Sequence, residues 1–87
     1  MIEIDFPPEE QLDGVSDLIV FPALVEGRRF DCAIEVEALQ EACHADLGDP
    51  LPAFRANRPA IEEAAARLIN GKRFVRNGTV LVTAQDL

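Results

Sequence analysis

From Leu18 to Leu39 the chain reads LIVFPALVEGRRFDCAIEVEAL, two apolar runs on either side of Glu26-Gly27 that lead into a helical repeat. Glycine takes the positive φ of a tight turn, so Leu18–Val25 and Phe30–Ile34 are predicted to form a β-hairpin. Its first arm is apolar on both sides: Leu18, Val20 and Leu24 alternate with Ile19, Phe21, Ala23 and Val25. One face can pack on helices; the other also calls for cover, which makes it a candidate dimer surface. Pro22 lacks a backbone donor and predicts an edge or a bulge in that arm.

Upstream, Ile2, Ile4 and Phe6 alternate with Glu3 and Asp5, the period-2 signature of a half-buried strand that Pro7-Pro8 ends. Residues 9–17 read as an acidic, mobile loop. Downstream, Val36, Leu39, Cys43 and Leu47 have helical spacing, and Gly48 lies past the end. A short helix carrying Leu51 and Phe54 follows, with Asp49 placed to cap it. Ile61, Ala64, Ala65, Leu68 and Ile69 then form one apolar stripe of a helix starting near Pro59 and stopped by Asn70-Gly71, with Glu63 and Arg67 as an i, i+4 pair. Asn77-Gly78 between Arg73–Arg76 and Thr79–Thr83 predicts a second hairpin. Residues 1–87 are thus read as one α+β domain: a small, largely antiparallel sheet (N-terminal strand, β-hairpin and C-terminal β-hairpin) with two or three helices packed on one face.

Composition narrows the picture. The 87 residues are 48% hydrophobic and 28% charged, which is globular rather than disordered. No apolar run approaches the roughly 20 residues of a membrane-spanning helix. Met1–Asp5 lacks the basic and apolar regions of a signal peptide, so the protein is expected in a bacterial-type cytoplasm, with Cys32 and Cys43 as free thiols. The net charge of -8 is unevenly spread: residues 1–49 carry 13 acidic and 2 basic side chains, and residues 50–87 carry 3 acidic and 6 basic ones. Either the halves pair within one fold, or they pair between copies.

Several of these segments together resemble a family of short bacterial proteins, the domain of unknown function 1488 family. The resemblance rests on Val20–Val25, the turn Glu26-Gly27-Arg28, Cys32-Ala33-Ile34 leading into Glu37-Ala38-Leu39, and Phe54–Arg58 followed by Ile61–Ala65. It implies a small α+β domain and carries no agreed activity.

The chemistry-bearing residues supply no catalytic set. Cys32, Cys43, His44 and Asp46 have metal-ligand chemistry but not its spacing, and both cysteines fit as small buried hydrophobes. His44 is the default general base but has no partner in the sequence, and Ser16, the only serine, has no activating neighbour. No metal, cofactor or catalytic residue is therefore assigned. Arg55 and Arg58, three residues apart, and Arg73 near the last hairpin are candidates for an anion- or partner-binding site. An acidic pI near 4.4 argues against nucleic acid. The leading expectation is a non-enzymatic interaction or regulatory accessory domain that contacts a protein partner and forms a homodimer. The alternative is a small-molecule or anion binder using an arginine-lined pocket, and an enzyme gathering His44, a carboxylate and an arginine comes third.

Overall fold

In the computed structural model, which describes residues 3–43, 49–71 and 78–87, the elements run β1 (Ile4–Asp5), β2 (Gln11–Asp13), β3 (Leu18–Val25), β4 (Arg28–Glu35), α1 (Val36–Cys43), α2 (Leu51–Ala56), α3 (Arg58–Asn70) and β5 (Val80–Val82), ending in a 3-10 turn at Ala84–Asp86. β3 and β4 are the predicted hairpin, paired from Leu18 opposite Glu35 to Val25 opposite Arg28 without a bulge. Glu26 and Gly27 have φ of 51° and 83°. Positive φ at both turn positions is what a type I′ turn requires, and its twist matches that of the strands it joins.

Pro22 sits where its missing donor does no damage. Across a two-residue turn the odd-numbered residues of β3 exchange hydrogen bonds with β4, so Pro22 presents its nitrogen to the other neighbour. That neighbour is interrupted there: β1 pairs with Leu24 and Val25, and β2 pairs with Leu18, Ile19 and Val20. The stretch between them contains Pro7-Pro8. The expectation of an edge or bulged strand is thereby corrected, because β3 lies inside the sheet and only its neighbour is broken.

β2 is a second correction, because part of the acidic stretch 9–17 is a strand rather than loop throughout. Gln11, Leu12 and Asp13 are all exposed and leave no alternation in the sequence, yet they complete the edge alongside β3. The turn after β2 is held by Asp13, whose carboxylate accepts from the Val15 N–H at 3.0 Å and the Ser16 hydroxyl at 2.8 Å. The sheet is largely antiparallel, as expected, with one parallel pair at the C-terminus: β5 runs parallel to β4, with Cys32, Ala33 and Ile34 opposite Val80, Leu81 and Val82. Parallel neighbours need a long crossover, and the three helices supply it. The sheet, in order β1 and β2, β3, β4, β5, is therefore mixed. The first arm of the expected C-terminal hairpin lies outside the described residues.

The helical layer covers one face of the sheet. Ile19, Phe21, Ala23, Cys32, Ile34, Val80 and Val82 point into it and meet Leu39, Phe54 and the predicted α3 stripe, all buried. Phe21 is the centre, with its ring 5.4 Å from Phe54 and 6.3 Å from Phe6. Asp49 caps α2 as expected, accepting from the Leu51 N–H at 3.0 Å. α3 ends at Asn70, as expected.

Candidate interaction surface

The opposite face of the sheet has no described element over it. It is built by alternation: the residues between the core-facing ones must point outward. β3 contributes Leu18, Val20, Pro22 and Leu24; β4 contributes Arg29, Asp31, Ala33 and Glu35; β5 contributes Leu81. Val20, Ala33 and Leu81 lie side by side across three strands and floor a shallow depression of about 360 Å³ with Asp31, Glu35 and Thr79 at its margins. Leu18, Val20, Leu24 and Leu81 remain half-buried with water as their remaining neighbour. The two-sided apolar pattern of Leu18–Val25 pointed to this face. What it missed were Ala33 and Leu81, which join the patch only because β5 lies beside β4; the signal was Val80–Val82, which is apolar on both sides.

The predicted arginines form a different arrangement. Arg55 and Arg58 converge on one carboxylate oxygen, Glu10 Oε1, at 3.0 and 3.6 Å. Arg58 is the more enclosed: its Nε donates to Glu62 at 2.7 Å, Nη2 donates to the carbonyls of Pro7 at 2.7 Å and Glu9 at 3.2 Å, and the guanidinium lies 5.4 Å from the Phe54 ring centre. Its donors are spent on the protein, where they tie the segment after β1 to α2 and α3. An external anion at Arg58 would have to compete with Glu10. Arg73 lies outside the described residues, so convergence of all three on one site does not enter the geometry.

Two further ion pairs are exposed and local, Arg29 of β4 with Glu9 at 3.7 Å and Arg67 with Glu63 one turn away on α3 at 3.8 Å. Glu10 with Arg55 and Arg58 joins an acid of the N-terminal half to arginines of the C-terminal half within one fold. Cys32 is a free thiol in the core, and burial, helped by the nearby charge of Asp31, pushes its pKa up to about 12. A thiol held neutral is neither nucleophile nor ligand. Among the described residues no group of three His, Cys, Asp or Glu side chains is placed to hold a metal; His44 and Asp46 lie outside them. A larger concavity of about 650 Å³ lies where the 14–17 turn meets α1, and among the described residues its charged lining is Asp17, Glu35 and Glu37.

The chain matches the family described as protein of unknown function DUF1488 over residues 4–82. It is 39% identical over 67 residues to the uncharacterized protein YrdB of Escherichia coli strain K12, spanning 76% of this chain and 79% of that protein, and equally to YrdB of Shigella flexneri. A crystal structure of a DUF1488-family protein of unknown function from Shewanella loihica PV-4 superposes with a TM-score of 0.86 at 28% identity, over 92% of this chain and 91% of the other. The likeness extends through the whole α+β arrangement. Among the described residues, no helix is long and apolar enough to cross a membrane.

Proposed function

We propose that this chain, which belongs to the DUF1488 family, is a non-enzymatic interaction domain whose working surface is the outer face of its sheet. The observation that carries the reading is the row Val20, Ala33 and Leu81, in which half-buried Val20 and Leu81 flank a buried Ala33 floor, continued by half-buried Leu18 and Leu24 along β3. A sheet with one face on helices ordinarily turns a polar face to water, and contiguous apolar patches on soluble proteins mark contact sites. The acidic margin of Asp31 and Glu35 gives the patch the apolar centre and charged rim of a protein interface. The reading places the protein in a reducing cytoplasm as an accessory or regulatory partner, and Cys32 as a free core thiol is compatible with that compartment.

Site-specific photocrosslinking in the producing cell tests this. A photoreactive side chain at position 20 or 81 should give discrete protein adducts, while the same group at Glu63, exposed on α3, should give none of them. Equal adduct patterns from all three positions would overturn the assignment to the sheet face.

A further inference from the structure

Resting on that reading, we infer that the occupant of the outer sheet face is a second copy of this chain, packed face to face with its strands antiparallel about a two-fold axis. Charges on the outer face are placed for such a pairing. The core-facing residues Phe21, Cys32 and Val80 form one row across β3, β4 and β5. Arg29 lies three residues to one side of Cys32 on β4 and Glu35 three residues to the other, and both side chains point outward. A two-fold axis in the interface, at right angles to the strands and level with that row, sets Arg29 over the partner's Glu35 and repeats the pair symmetrically.

The same operation sets Leu18 over the partner's Leu24, and the half-buried Val20 over the partner's Pro22, which is already buried within its own chain beside Glu9, Glu10 and Gln11. Asp31 keeps its own neighbour in Arg29, 3.8 Å away on the same strand. The same operation brings the edge acid Asp5 over the partner's Asp13, a like-charge pair that falls at the rim, where water and salt screen it. The alternative two-fold, with its axis along the strands, stacks Glu35 on the partner's Glu35 and is disfavoured. Aligned packing of two sheets at about 30° is an ordinary geometry.

Size sets the strength. The two eight-residue strands, with the short β1, β2 and β5 beside them, offer roughly 400 Å² of sheet face per copy. That is about 800 Å² in total, below the usual range of stable interfaces, so the dimer should be weak, reversible and formed at high micromolar concentration.

The test is sedimentation equilibrium of the full chain from 5 to about 200 μM with four proteins: wild type, Arg29→Glu, Glu35→Arg and the double exchange. Both side chains are exposed, so folding should persist, and the thermal transition seen by circular dichroism checks it. Each single reversal should weaken the dimer about fivefold or more, since two symmetric pairs turn from attractive to repulsive. The double exchange should return it to within about twofold of wild type. A monomer at 200 μM, singles without effect, or a double exchange that does not restore affinity would each overturn the arrangement. If the chain is monomeric while positions 20 and 81 still crosslink to a different protein, the second copy is excluded and the interaction surface stands.

Discussion

Cys32 shows how far one residue's environment governs its chemistry. Alternation in Asp31-Cys32-Ala33-Ile34 turns it inward, and burial then raises its pKa from 9.0 to about 12. The unfolded thiol ionises first as pH rises, so the unfolded state binds fewer protons and stability falls. This contribution is fully present below about pH 9 and is lost between about pH 9 and 12, at about 1.4 kcal/mol per pH unit. Denaturant titrations across that range should show the slope in wild type and lose it in Cys32→Ala. Alkylation by iodoacetamide at pH 8 should leave Cys32 unmodified in the folded protein. Glu26 is the opposite case, a residue at odds with its position, because a side chain at φ 51° is uncommon outside Asn, Asp and Gly. Glu26→Asn supplies the preferred Asn-Gly turn and should stabilise by about 0.5 kcal/mol, read as a rise in melting temperature.

At the scale of elements, the edge made of β1 and β2 is short, broken by Pro7-Pro8 and acidic, with little ladder of its own to hold it. Arg58 supplies the missing attachment through the Pro7 and Glu9 carbonyls and the Glu10 carboxylate. Arg58→Ala should cost about 2 kcal/mol in urea denaturation, because several charge-assisted hydrogen bonds at a half-buried site are lost together. Arg58→Lys should recover less than half, since a single ammonium cannot span the carbonyls and both carboxylates. Hydrogen exchange of the β2 amides should quicken in both variants while that of α3 stays near wild type. The break in this edge also accommodates Pro22, whose missing donor faces the gap between β1 and β2.

For the whole molecule, the net charge of -8 sets two copies against each other at long range, while the contact itself is apolar with short-range ion pairs. Screening acts first on the long-range term. Raising salt from 20 to 150 mM should therefore tighten the proposed dimer, which sedimentation at the two ionic strengths would show; a dimer held chiefly by its ion pairs would weaken instead. The charge asymmetry along the chain is partly neutralised at home, through Glu10 with Arg55 and Arg58. This leaves the sheet face rather than a charged face as the surface with most to gain from contact.

What the sequence by itself determined was local. The hairpin about Glu26-Gly27, the Asp49 cap, the α3 stripe from Ile61 to Ile69 and the two-sided apolar character of Leu18–Val25 follow from periodicity and turn chemistry, which act over a few residues. So does the recognition that both faces of one strand want cover. What only the tertiary structure decided was which strand lies beside which. β5 pairs in parallel with β4 because the helical crossover returns the chain in the same direction, and that relation spans more than forty residues without a local signature. β2 is a strand because β3 offers it a ladder, not because Gln-Leu-Asp prefers one. Arg55 and Arg58 meet Glu10 because folding brings together segments 45 residues or more apart in the chain. Residue pattern specifies elements through short-range sterics and burial; pairing across the fold is a property of the packed core, where distant segments compete for the same surface.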